Sequence, residues 1–335
     1  MKKQLLACAM ALLASLPLIA GGQSEGTAQQ SSGEKVYKIG VSKLLPHPAL
    51  DKVEQGLQDY LATTDLKVSF DLQNANGDIS TVNSISQKFK SDKDDLVVGI
   101  ATPSAQSLAN TFSDIPVVYS AVTDPNQAGL NTGLVCGVSD MNSVESQIQL
   151  LAKVTNAKTI GNIYCSSEAN GVVQMEQAKA ACEKLGVAFV GVAVNNTSEV
   201  KMAAQSIIDR VDAIYIATDN AVISAFPAID EVCNKAGKGL FSSDPSVAPD
   251  SNFLIAWGCD YYAIGINTGK VIKQCLKGTD PRTIGDNGAV YMTNTSDIEL
   301  WLNLDQAKKL GYTFSDDVLK DAAVLIQDGK QVSKK

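Results

Sequence analysis

Short runs in which nearly every position is apolar alternate along the chain with longer stretches whose apolar positions recur every three or four residues. The first pattern is that of strands buried on both faces, the second that of amphipathic helices. Strands are predicted over 36–42, 67–72, 96–100, 116–120 and 135–139. Between them lie a helix that starts at Pro48 and turns Leu50, Val53, Leu57 and Leu61 inward, one capped by Asp78 that buries Val82, Ile85 and Phe89, and one over 104–112. The same order then repeats. A helix over 142–154 leads into strands over 159–164, 188–194, 213–217 and 239–242, separated by helices over 170–185, 198–208 and 221–236. This alternation predicts an α/β chain of parallel strands joined by right-handed crossovers.

The repetition extends to the turns. Residues 95–109 are echoed by 212–225, so that Ile100, Ala101 and Thr102 correspond to Ile216, Ala217 and Thr218 at an offset of 116 positions. Each copy continues with residues favoured at the start of a helix, Pro103-Ser104 in one and Asp219-Asn220 in the other. Residues 38–44 likewise resemble 159–166, and 119–125 resemble 241–245. A repeat of this length predicts two similarly folded lobes. After a strand over 253–257, a long amphipathic helix over 261–276 is expected to return to the first lobe and 290–293 to cross back, giving three linkers at a hinge. The first lobe is then 36–138 plus 259–291 and the second 139–258 plus 292–335, with 304–311 a terminal helix before a frayed Lys-rich tail.

The amino terminus does not belong to this pattern. Lys2 and Lys3 precede an apolar run over 5–20 that ends in Ala20-Gly21-Gly22, the layout of an export signal over 1–22 and too short for a membrane span. Residues 23–35 have little apolar surface to bury and read as a flexible tether. The folded part is therefore expected outside the cytoplasm, in the periplasm or at the cell surface, and lipidation at Cys8 is disfavoured because that cysteine precedes most of the apolar run. The net charge of −8, with no basic cluster, argues against nucleic acid or anionic lipid as a partner. Arg210 and Arg282 are the only arginines, so a guanidinium clamp on a carboxylate or phosphate is nearly excluded. Six cysteines follow the amino-terminal segment without a CxxC pair, and buried free thiols are the plainer reading.

In an open parallel sheet, ligands gather beyond the carboxyl ends of the strands, where helix amino termini point free N–H groups outward. The residues expected there are Leu45 and His47; Thr102, Ser104 and Ala105; Ala121, Thr123 and Asp124; Ser166, Ser167, Glu168 and Asn170; Asp219 and Asn220; and Asp244. Taken singly, a hydroxyl or carboxylate at a helix start is explained by capping. Its recurrence in both lobes points to a ligand. Hydroxyls and acids without lysine or arginine suit a small zwitterion, its carboxylate on N–H groups and hydroxyls around Thr102 to Ala105 and Thr123, its ammonium on an acid such as Asp219. Trp257, at another strand end, fits the core better than the cleft. One histidine and no Cys-His pairing leave no activated nucleophile, and no phosphate loop or clustered metal ligands occur, so neither an enzyme nor a cofactor is expected.

Several runs carry a family resemblance: Leu45 to Asp51, Asn74 to Asp78 with Asn83, Ile100 to Gln106, Ala121 to Pro125, Tyr164 to Glu168, Ala217 to Asn220, Ser243 to Ser246 and Gly258 to Gly269. Together they resemble the substrate-binding proteins of ABC importers of the tryptophan/tyrosine type, from about residue 36 to 312. The resemblance implies the type I periplasmic-binding-protein fold, two Rossmann-like lobes on a three-stranded hinge. It also implies a monomer that hands an L-amino acid, tryptophan, tyrosine or phenylalanine first, to a membrane permease, with Thr102, Ser104, Thr123, Asp219 and Asn220 matching family motif positions. A sugar or nucleoside binder on the same fold and a two-cysteine amino-acid racemase remain as alternatives.

Overall fold

A computed structural model describes residues 35–294 and 296–333; the expected export signal with Cys8, most of the expected tether, Lys334 and Lys335 lie outside them. The first lobe begins β1 (Val36–Lys43), α1 (Pro48–Ala62), β2 (Lys67–Asn74), α2 (Ile79–Asp92), β3 (Leu96–Ile100), α3 (Thr102–Thr111), β4 (Val117–Val122) and β5 (Val135–Ser139). The chain then builds α4 (Val144–Thr155), β6 (Thr159–Cys165), α5 (Ala169–Leu185), β7 (Ala188–Val194), α6 (Val200–Ile207), β8 (Ala213–Ile216), α7 (Asn220–Ser224), α8 (Phe226–Ala236), β9 (Gly239–Ser242) and β10 (Ile255–Cys259). It continues through α9 (Tyr261–Leu276), β11 (Ala289–Tyr291), β12 (Ile298–Asn303), α10 (Leu304–Leu310), α11 (Asp316–Asp321), β13 (Val324–Gln327) and β14 (Lys330–Ser333).

These elements form two sheets. The first has the order β11-β5-β4-β3-β1-β2 with every pairing parallel; the second has the order β14-β13-β12-β10-β9-β8-β6-β7. In the second sheet β6 to β10 are parallel, and β12 enters antiparallel to β10. Central strands such as β3 and β8 are buried at every position, as helices on both faces require, whereas the edge strands β2 and β7 alternate. The chain passes between the sheets three times, after β5, after β10 and between β11 and β12. The fold is α/β with two mostly parallel sheets, that of type I periplasmic binding proteins.

The helix α9 returns to the first lobe against α1, where two glycines let the backbones meet. A Cβ on Gly265 would strike the Val53 carbonyl, and one on Gly56 the Tyr262 carbonyl. Two expectations are corrected. The predicted helix over 221–236 is broken at Ala225, because Pro227 leaves the turn before it no N–H to bond and a new helix starts at Phe226. The helix expected over 304–311 is present as α10 but is not the last element: β13 and β14 pair as a hairpin around Asp328-Gly329, both at positive φ, and extend the second sheet to Ser333, while the end of the Lys-rich tail lies outside the described residues.

Candidate functional site

The two copies of the strand-to-helix turn face each other across the gap between the lobes. In the first lobe, β3 ends at Ile100 and α3 begins two residues later with no side-chain cap; Ala101 takes φ 76° to make the corner. Gly99 makes this possible, since a Cβ there would lie 2.5 Å from the backbone nitrogen and Cα of Ala105. In the next strand the pairing of β4 with β5 slips between Ser120 and Val122, and Ala121 sits at the slip with φ 53°. Positive φ at two alanines is strain that the surrounding packing must hold, and both lie at the cleft.

Residues from both lobes line a small shared hollow. His47, Leu50, Ala121 and Thr123 come from the first lobe, Asn170, Thr218, Asp219, Asn220, Ile223 and Asp244 from the second, with Asp140 on the first crossing and Tyr261 directly after the second. Thr102 and Asp124 meet Asn170 on a second small hollow, so Asn170 borders both spaces. Leu45, Ser167 and Glu168 line a third space with Asn76 and Asn195. Ser104 and Ala105 are buried within the start of α3, and Ser166 is exposed with its hydroxyl donating to the Val194 carbonyl, so it lines none of the three. Trp257 is half-buried in a groove on the second lobe with Leu150 and Ile298, away from the cleft.

The lobes touch directly. The Thr123 and Thr218 hydroxyls are 3.3 Å apart and His47 Nε2 lies 3.4 Å from Asn220 Oδ1. The amide of Asn220 gives its Nδ2 to Glu168, which turns its oxygen toward the histidine. His47 Nε2 therefore carries the proton, and Nδ1 is a bare acceptor with no partner. Burial lowers the pKa of His47 despite nearby Asp244, keeping the ring neutral.

The four buried acids at the cleft fall into two pairs with different jobs. Glu168 accepts from the backbone N–H of Asn220 and of Ala221, and Asp219 accepts from Val222 N–H through one oxygen and from Cys165 N–H, at 2.6 Å, through the other. Both tie the turn after β8 to the end of β6. Asp219 borders the hollow, where it was expected as an ammonium partner, and each of its oxygens also accepts a backbone N–H, which gives the acid a structural role as well. Burial, then repulsion from Glu168, raises its pKa well above the carboxylate range.

Asp140 and Asp244 are different. Asp140 accepts from the Tyr261 hydroxyl at 3.1 Å through Oδ2, while Oδ1 is buried without a partner; Asp244 caps Ser246 N–H through Oδ1 and its Oδ2 is likewise unpartnered. Burial pushes Asp140 up to about 6 and raises Asp244 too. On the first-lobe side Thr102 Oγ1 and Ser104 Oγ are buried and unpartnered at the start of α3. A buried polar atom without a partner is uncommon and costs about 1–3 kcal/mol; here His47 Nδ1, Asp140 Oδ1 and Asp244 Oδ2 belong to residues that line one hollow. Asp140, Thr218, Gln174 and Tyr261 were not singled out from sequence. Asp140 and Tyr261 flank crossings instead of ending paired strands, and Gln174, which donates to Thr218 Oγ1 at 2.6 Å, lies one turn inside α5.

Residues 38–326 match the family model described as ABC transporter substrate binding protein. A tyrosine-binding protein of Clostridioides difficile (strain R20291) is 33% identical over 301 residues, covering 87% of this chain and 85% of that protein. A crystal structure of the ABC domain in complex with L-Trp from Streptococcus pneumonia is 36% identical, with a TM-score of 0.80 over 87% of this chain and all of that one. The ligand-free, open structure of a substrate binding protein with adhesive properties from Clostridium difficile is 32% identical, covers 84% of this chain and 97% of that one, and has a TM-score of 0.60. These relatives are binding proteins, as the chemistry of the cleft is. The chain belongs to the ABC transporter substrate-binding protein family.

Proposed function

We propose that this protein captures an aromatic L-amino acid between its lobes and delivers it to an ABC permease. The observation that carries the reading is the set of unpartnered buried polar atoms, acceptors on one side and hydroxyl groups on the other. Asp140 Oδ1, Asp244 Oδ2 and His47 Nδ1 form an acceptor-only corner that suits an ammonium group, which has only donors to give. Thr102 Oγ1, Ser104 Oγ and the free N–H groups at the start of α3 suit a carboxylate. No lysine or arginine lines either hollow, so the carboxylate depends on these neutral donors.

The hinge is part of the same proposal. The residues that line the first hollow come from both lobes, so a ligand enters as the lobes part about the three crossings. The higher likeness to an L-Trp-bound relative than to a ligand-free, open one, at similar identity, supports reading this arrangement as the closed form. A ligand that touches both lobes favours that form by its differential affinity. Export, as the amino-terminal segment suggests, would place the protein where such a ligand arrives, and racemisation gains no support because the first-lobe counterpart of Cys165 in the repeat holds no cysteine. The test is a thermal-shift screen of L-amino acids, sugars and nucleosides. Stabilisation that rises with the concentration of L-tryptophan, L-tyrosine or L-phenylalanine supports the reading; stabilisation by a sugar or nucleoside alone refutes it.

A further inference from the structure

Two of the six cysteines on the described chain meet. Cys136 is the second residue of β5, fully buried, and Cys275 lies in the last turn of α9, which packs over that strand; their sulfur atoms are 3.5 Å apart. The other four have different surroundings. Cys165 Sγ is 3.1 Å from Ser167 Oγ, Cys259 Sγ is 3.7 Å from the Asp140 carbonyl, and Cys182 and Cys233 belong to separate apolar clusters of the second lobe. A disulfide needs a separation of about 2.05 Å, so these two sulfurs lie roughly 1.5 Å of approach from a bond, within reach of small rotations about their Cα–Cβ bonds. Gly288 packs against Cys136, where a Cβ on the glycine would lie 3.7 Å from the cysteine's Cα and Cβ, and α9 ends just beyond Cys275 at Lys277, so the bridge joins a strand to the last turn of a helix.

We propose that Cys136 and Cys275 are joined by a disulfide in the folded protein. The oxidant is another disulfide, a protein disulfide of the oxidising compartment if the chain is exported as proposed above, and oxidised glutathione in the test. One cysteine thiolate attacks that disulfide and expels one thiolate; the second cysteine then attacks the mixed disulfide and expels the other. Two thiols of this chain are oxidised, the oxidant's disulfide is reduced to two thiols, and the two protons pass to the departing sulfurs. Because both side chains are buried, the exchange takes place as the first lobe folds. The covalent loop leaves the first lobe after β5 and returns through α9, so it encloses most of the second lobe and two of the three crossings. Both ends of the bridge lie in the first lobe, outside Asp140 and Tyr261, so it stabilises the fold without restraining the hinge.

The full chain, reduced and unfolded, is refolded in a glutathione redox buffer, then alkylated with iodoacetamide after denaturation without reductant. The expected result is two fewer alkyl groups than on the pre-reduced chain and a linked peptide pair carrying Cys136 and Cys275. Reduction should lower Tm by roughly 5 °C or more while amino-acid affinity stays the same. Cys275→Ala should abolish the redox dependence of Tm and Cys182→Ala should keep it. Equal alkylation of the two samples, or a link between any other pair, overturns the proposal. The labelling is read on the unaltered chain, so a variant that fails to fold does not affect it.

Discussion

At the scale of single residues the site shows itself through groups the fold would be more stable without. Asp140 is held near pH 6 by burial, well above a carboxylate in the unfolded chain. The folded state therefore binds this proton more tightly than the unfolded one. The resulting penalty is absent below the ordinary carboxylate range, grows as pH rises, and is complete above about 6. Asp140→Asn keeps an acceptor for Tyr261 and removes the charge. It should raise the stability of the ligand-free protein at pH 7.5 by on the order of 3 kcal/mol, with no gain at pH 4, and should weaken amino-acid binding about 100-fold; urea titration and calorimetry check the two halves. Asp219→Ala should do the reverse. It strands the N–H groups of Cys165 and Val222 and should cost about 2–4 kcal/mol of stability by urea titration. The cap at Asp219 was legible because an acid after a strand reads as a helix start. Its bond to Cys165 was not, because that depends on β6 lying beside β8. Asp140 was missed for a related reason: strand-end logic does not reach residues on a crossing.

At the scale of elements, the start of α3 is set by one missing side chain. Gly99 lets the first turn fold back on β3, and a methyl group there would meet the helix backbone at Ala105. Gly99→Ala should displace the carboxylate-binding end of α3, reducing amino-acid affinity at least tenfold and stability by about 1–3 kcal/mol, as read by calorimetry and thermal melting; unchanged affinity would show that α3 does not hold the ligand. Most strands and helices were legible because buried parallel strands are short apolar runs set between helices of regular period. The exceptions are local. Pro227 breaks a helix whose apolar spacing runs through it. The β13–β14 hairpin was obscured by its lysines, although Asp328-Gly329 is a strong hairpin turn.

At the scale of the molecule, the proposed function has two lobes on three crossings convert binding into a change of shape. Small-angle scattering should show the radius of gyration falling when L-tryptophan saturates the protein, and an unchanged radius would contradict hinge closure. The internal repeat disclosed the paired lobes, since the two turns at Ile100 and Ile216 share their chemistry. It could not disclose how the gap is divided, because Glu168 and Asp219 of the second lobe serve the backbone while Asp244 and the hinge residue Asp140 each keep a free oxygen. The central claim is that a zwitterion bridges Asp140 and Asp244 to the start of α3. Titration calorimetry with L-tryptophan, tryptamine and indole-3-propionate tests it most directly, since the analogues lack the carboxylate and the ammonium respectively. The account predicts that L-tryptophan binds and that each analogue binds at least about 100-fold more weakly; an analogue that binds as tightly as the amino acid would contradict it.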